Sequence, residues 1–291
     1  MLVALVCGCS KDAPSGEENL VSASFCVSTG EFTRAADDGD GAAGHVNRCI
    51  LQIWKGEELF KTEIRTAPAG TREFSFKGVT LNPEETYDFL FWADCGTATG
   101  GDLYYSTQSL KNVSMLIPEK GNDDAMDAFC NHLSECTIDT EHETRLILRR
   151  PLAQLNVVTR DLLQVKSLPL AGDFAPKSVS YSFYGCTAFD VLGDKTFGEP
   201  EFISVKDVPV YGEESQGVRT LAMSYLFPQE GESVSAVNVV VQNANGTTVT
   251  SSFDNVPFKA NWRTNITGNI LTVKGGFSVL LVPMFTDEYN R

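Results

Sequence analysis

Three groups of residues offer chemistry in this sequence: two cysteines near the start, an arginine at the edge of an acidic loop, and a Cys-His-Cys cluster. Cys7 and Cys9 lie in Val6-Cys7-Gly8-Cys9, behind an apolar run. Small residues before a cysteine match a bacterial lipobox, in which the thiol is lipidated and the cysteine becomes the new N-terminus. Cys9 is the better candidate, with Gly8 before it and the polar Ser10-Lys11-Asp12 after it. Residues 1–9 are too few to span a bilayer, which takes roughly 20 apolar residues. They read as the remnant of an export signal whose charged n-region is missing, with Met1 an internal methionine of a longer gene product. An ordinary signal peptide with chance cysteines is the other reading. Residues 10–19 form a polar tether.

Arg34 lies in Thr33-Arg34-Ala35, just before Asp37-Asp38-Gly39-Asp40-Gly41. The acidic, Gly-rich run cannot continue a strand and is expected to be exposed. It has the look of a calcium loop but lacks the later carboxylate ligands of an EF-hand. Cys130, His132 and Cys136 have the spacing C-x-H-x3-C, which brings soft ligands together but offers no fourth ligand for zinc. A local disulfide between Cys130 and Cys136 is the other reading. Cys26, Cys49 and Cys186 fall in apolar stretches, where buried free thiols are expected. His45 and His142 sit in solvated connections. No nucleophile elbow, phosphate loop or dinucleotide fingerprint is present, so no catalytic residue, metal or cofactor is assigned. Trp54, Trp92 and Trp262 would make a sugar-stacking platform if they converged. Trp92 belongs in a core by its apolar neighbours, whereas Trp54 and Trp262 stand beside charged residues where exposure is expected.

The elements that must position these groups are strands. In residues 20–35, Val21, Ala23, Phe25 and Val27 alternate with Ser22, Ser24, Cys26 and Ser28, the pattern of a strand with one buried face. Residues 49–54 and 59–64 flank Lys55-Gly56-Glu57 as a hairpin. Residues 86–93 are apolar on both faces, as in a strand covered on both sides. Residues 94–140 form a long insertion, in which 123–133 hold one short helix by their apolar spacing. Strands resume at 144–148 and 152–159, interrupted by Arg149-Arg150-Pro151. In the second half, strands at 178–183 and 220–227 frame a loop-like stretch, and Asn245-Gly246 between alternating runs marks a hairpin. An apolar run at 277–285 follows Gly275-Gly276.

Many short strands with almost no helical period give a mainly β fold of two β-sandwich domains in tandem, 20–160 and 161–291. The chain has 291 residues, 42% of them hydrophobic, enough for sizeable cores. Its net charge of −15, from 38 acidic and 23 basic residues, argues against nucleic acid as a partner.

Several stretches together resemble the fimbrillin-like lipoproteins of Bacteroidales, which are similar to the subunits of type V pili. They are the lipobox, Thr33-Arg34-Ala35, residues 87–94, Asp127-Ala128-Phe129, residues 150–156, and above all 256–272 with Gly268-Asn269-Ile270-Leu271-Thr272. The resemblance covers most of the chain after Val21. It implies two transthyretin-like sandwiches, export as a lipoprotein to the outer membrane and surface assembly with other fimbrial subunits. It further implies that an arginine-specific protease cuts between Arg34 and Ala35, removing lipid and first strand together. The emptied pockets of Val21, Ala23, Phe25 and Val27 would then accept a strand from another subunit. Phe277, Val279 and Leu281 face one way in the candidate donor, although this run reads equally as the last strand of the C-terminal sandwich. Pro283 cannot donate to a ladder, so a donor register ends or bulges there. The rival reading is a lipid-anchored surface protein that keeps its first strand and binds a glycan or host ligand.

Overall fold

The computed structural model describes residues 20–29, 44–167, 175–272 and 276–283. The first half contributes β1 (Val21–Ser28), β2 (Arg48–Lys55), β3 (Glu58–Thr66), β4 (Glu73–Leu81), β5 (Thr86–Asp94), β6 (Tyr105–Ser106), β7 (Val113–Met115), β8 (Ala128–Thr137) and β9 (His142–Ile147). The second contributes β10 (Ala153–Thr159), a short helix α1 (Leu162–Lys166), β11 (Pro176–Gly185), β12 (Ala188–Asp190), β13 (Lys195–Phe197), β14 (Glu201–Pro209) and β15 (Arg219–Leu226). The chain then runs through β16 (Glu232–Asn243), β17 (Thr248–Lys259), β18 (Trp262–Gly268) and β19 (Phe277–Pro283). The fold is mainly β, as the alternating runs require.

Two sandwiches result. In the first, the sheet β4-β1-β9 packs on β3-β2-β5-β8, and Ala23, Phe25 and Val27 meet Cys49, Leu51, Ile53, Phe89 and Phe91 between them. In the second, β15-β10-β18-β19 packs on β14-β11-β16-β17 around Leu155, Val157, Phe183, Val239 and Phe258. The halves share a design. Each opens with a strand held between an antiparallel neighbour and a parallel one: β1 between β4 and β9, and β10 between β15 and β18.

The division at 160/161 put β10 with the N-terminal half, but its hydrogen-bond partners β15 and β18 lie in the C-terminal half. The N-terminal strands therefore end with β9, and Arg149-Arg150-Pro151 is the crossing point.

A third core lies between the sandwiches. Ile50, Trp54, Leu90 and Trp92, on the outward face of the β2-β5 sheet, pack with Tyr105, Leu110 and Val113 of the insertion and with Phe189, Met223 and Phe227 of the second half. This is why β5 is apolar on both faces. A small sheet of order β13-β12-β7-β6 draws two strands from each half.

Residues 123–133 do not form the expected helix. Asp123 caps a single 3-10 turn over Asp124–Met126, its side chain accepting from the Ala125 N–H, and the chain then extends into β8. Pairing of β8 along the whole of β5 outweighs a local helical preference that covers little more than one turn.

Candidate functional site

The residues of the removable-strand reading converge on β1. Ala23, Phe25 and Val27 are at most 1% exposed, while Val21, nearer the strand's start, is half-buried. The Phe25 ring lies 4.8 Å from that of Phe89 and 5.4 Å from that of Phe91, centroid to centroid. Phe76 of β4 closes the other side, 6.1 Å from Phe91. The outward residues Ser22, Ser24, Cys26 and Ser28 are half-buried, as the alternation predicts.

Backbone bonding fixes β1 on both edges. The antiparallel register with β4 runs from Val21 opposite Leu81 to Ser28 opposite Glu73. It shifts between Ala23 and Phe25, where two residues of β4 oppose Ser24 alone. Gly78 supplies the positive φ, +69°, that this bulge needs, and its N–H donates to Ser24 Oγ at 3.3 Å. On the other edge β1 runs parallel to β9, from Ala23 opposite His142 to Ser28 opposite Ile147. Leu148 N–H then donates to Ser28 O at 2.7 Å. Two strand spacings separate β4 from β9, about 10 Å, so the space β1 occupies is one strand wide.

Cys26 lies on the outward face of this strand. Burial pushes its thiol pKa up, and neighbouring Glu73 pushes it further in the same direction, so the group is a protonated thiol rather than a nucleophilic thiolate.

Cys9, Arg34 and Ala35 lie outside the described residues. Arg34 and Ala35 fall in 30–43, the connection between β1 and β2.

The candidate donor residues Phe277, Val279 and Leu281 are in β19, at the edge of the second sandwich and antiparallel to β18 over its whole length. Val279 packs on the C-terminal core, and the Phe277 ring meets Phe253 edge-on at 4.8 Å. Phe277 and Leu280 each remain 51% exposed. Approach to β18 is close: a Cβ on Gly268 would fall 2.7 Å from Phe277 Cα. The strand ends at Pro283.

Other candidate groups do not converge. Cys130 and Cys136 stand six residues apart on β8, about 20 Å in an extended chain, far beyond the roughly 7 Å Cα separation a disulfide tolerates. Both are free thiols, as are Cys26, Cys49, Cys95 and Cys186. Among the described residues no three His, Cys, Asp or Glu side chains are grouped to hold a metal. The three tryptophans form no platform. Trp92 is fully buried, its Nε1 donating to Asp94 Oδ2 at 3.0 Å. Trp54, expected at the surface, is only 8% exposed because the insertion covers it, with Lys111 Nζ 4.7 Å above its ring. Trp262, half-buried, lies in β18 of the other sandwich under Lys259.

The junction carries polar groups that sequence reasoning left without a role. Asp127 takes both ends of the Arg150 guanidinium, at 2.5 and 2.6 Å, with each side chain almost wholly buried. Asn122 inserts into the second half: its N–H donates to Met223 O, its Oδ1 accepts from Met223 N–H, and its Nδ2 donates to Pro209 O. A signal lay in the motifs themselves, since Asp127 stands between Ala125-Met126 and Ala128-Phe129 and Arg150 directly before Pro151-Leu152-Ala153, where a charge drawn into a core needs a partner.

In fold the chain is similar to a fimbrilin, FimA, of Porphyromonas gingivalis. The TM-score is 0.52 at 10% identity, over 90% of this chain and 96% of that one. It is likewise similar to the tip fimbrial protein Mfa3 of the same organism, with C-terminal truncation, at a TM-score of 0.50 and 9% identity over 91% and 99% of the two chains. No curated protein matches the sequence. The model of a family of unknown function (DUF6562) matches residues 15–291, and the chain, a fimbrillin-like tandem β-sandwich, belongs to that family.

Proposed function

We propose that the protein is a structural subunit of a cell-surface fimbria that contributes to adhesion. In this reading it is exported as a lipoprotein carrying lipid on Cys9, cut after Arg34 by an arginine-specific protease, and joined to other fimbrial subunits by strand replacement. The observation that carries the reading is the place of β1, the first strand among the described residues and the middle strand of its sheet. Loss of an edge strand would bare one edge. Loss of β1 bares two, on β4 and β9, together with the pockets of Ala23, Phe25 and Val27. Phe25 and Val27 alone contribute about 3–6 kcal/mol of apolar burial, so an incoming strand of matching pattern is strongly favoured. By contrast β10, the equivalent strand of the second sandwich, follows β9 in the chain, so a single cut after it could not remove it without the first sandwich. The likeness to fimbrial folds supports the same reading.

β19 is the proposed donor, since among the described residues a single strand neighbour, β18, holds it. Its apolar alternation could fill the vacated pockets as an added strand.

N-terminal sequencing of protein taken from the cell surface tests the reading. A sequence starting at Ala35 is expected, and one starting at Cys9 overturns it. Arg34→Ala is expected to leave monomers, and detergent-resistant ladders formed by that variant would refute strand removal.

A further inference from the structure

Removal of β1 takes from β4 and β9 the neighbour they share, so the groove keeps its width only if its walls are held from elsewhere. The backbone shows on which side such a hold acts. Thr29 N–H donates to Arg72 O, which makes 29/72 a hydrogen-bonded pair continuing the antiparallel β1-β4 ladder. Bonded and non-bonded pairs alternate along such a ladder, so the pair Cys26/Ser75, three steps on, is non-bonded and Ser75 O points away from β1. On the other wall Leu148 N–H donates to Ser28 O. Successive residues of a strand turn their backbone groups to opposite edges, so Ile147 O also points away from β1.

Both outward carbonyls are taken by side chains from the outer strands of the facing sheet, β3-β2-β5-β8. Arg65 of β3 donates through Nε to Ser75 O at 3.3 Å. Its guanidinium lies 5.1 Å above the ring centre of Phe76, the residue that closes the Phe25 pocket, and Glu63 Oε2 accepts from it at 2.6 Å. Asn131 of β8 donates through Nδ2 to Ile147 O at 2.8 Å. Beside it, backbone bonds between Cys130 and Arg149 run both ways, at 2.8 and 2.9 Å. Each wall of the groove is thus fastened to the other sheet on the side that β1 does not touch.

We propose that Arg65 and Asn131 are braces that hold β4 and β9 apart by two strand spacings when β1 has gone, keeping a slot open for the incoming strand. The proposal rests on the strand-replacement reading and adds what that reading needs. A groove floored by Leu51, Phe89 and Phe91 gains by closing, because apolar surfaces brought together leave water. The braces oppose that collapse, and they act as positioning residues.

The test empties the groove by substitution rather than by proteolysis, so its failure leaves cleavage after Arg34 to be judged separately by N-terminal sequencing. In the full chain carrying Phe25→Asp, a carboxylate replaces the ring that packs on Phe89 and Phe91 and expels β1. A fluorescent peptide with the sequence of residues 20–29 is the probe, and anisotropy reads its binding. The chain with Phe25→Asp alone is expected to bind the peptide. Adding Arg65→Met with Asn131→Asp, which keep side-chain size and remove the two donated bonds, is expected to weaken binding about tenfold. With Phe25 in place β1 itself holds both walls, and the same two substitutions should lower the unfolding midpoint by no more than about 4 °C. Equal binding with and without the braces overturns the inference. Failure of the braced chain to bind overturns it as well, since the walls would then not hold even with both bonds present.

Discussion

Phe25→Ala separates a strand that stays from a strand that leaves. Phe25 is 1% exposed, with ring contacts to Phe89 at 4.8 Å and Phe91 at 5.4 Å, in a core built from both sheets of the first sandwich. Truncating such a side chain removes its transfer free energy and leaves a cavity, together about 3–5 kcal/mol. For a chain of this size each kcal/mol moves the midpoint by about 2–4 °C, so unfolding of the uncut chain should shift down by about 6–20 °C. After cutting at Arg34 and assembly, Phe25 has departed with its strand, and assembled material should melt like wild type. Differential scanning calorimetry of the uncut chain and of the assembled fraction reads both values. Ser22→Ala, on the outward face, is the control and should stay within about 0.5 kcal/mol in both states. An equal loss in the assembled fraction would refute strand replacement. A loss below about 1 kcal/mol in the uncut chain would refute the core role of Phe25.

Further expectations concern the junction, acid stability and the thiols. Gly121→Ala places a Cβ 1.9 Å from Tyr181 Oη and 2.8 Å from Val205 Cγ1, and urea unfolding should show a loss of about 1–3 kcal/mol as the insertion is pushed off the second sandwich. Arg150→Ala strands the Asp127 carboxylate in the junction core and should cost about 3–5 kcal/mol, whereas the double variant Asp127→Leu with Arg150→Met should recover much of it; equal losses would mean that charge isolation is not the cause. Burial by itself would raise the Asp102 pKa, but hydrogen bonds from the Thr107 hydroxyl and N–H and from Arg48 outweigh it and hold the carboxyl below the usual range. Because the folded value is the depressed one, its stabilisation is complete above the ordinary carboxylate pKa of about 3.9 and fades as pH falls through the folded value. The stability gap between wild type and Asp102→Ala should therefore be constant near neutral pH and narrow in acid. Alkylation in denaturant without reductant should label Cys130 and Cys136 fully, and a cross-linked peptide would contradict their separation along β8.

What the sequence determined by itself was local and periodic. The alternation of Val21 to Ser28 made a strand with one wet face, the Asn245-Gly246 turn made a hairpin, and apolar residues on both sides of residues 86–93 marked a doubly covered strand. Each follows from the residue pattern along one segment, alternation or its absence in the strands and positive φ at the turn, for which the chain needs no distant partner. Tertiary structure decided which strands are neighbours. β1 is central because β4 and β9, roughly 55 and 120 residues further along, bond to its two edges, and nothing within residues 20–35 encodes that. The same applies to β10, assigned by proximity to the first half and claimed by the second through its ladders with β15 and β18. Trp54 and residues 123–133 were misread for a related reason. Trp54 looked exposed beside Lys55 until the insertion folded over it, and a short helical pattern yielded to ladder bonds along the whole of β5. The Asn243 side-chain oxygen, buried without a hydrogen-bond partner among the described residues, was the least legible of all, because a polar residue before a turn is ordinary in sequence and is buried only when the surrounding elements close around it.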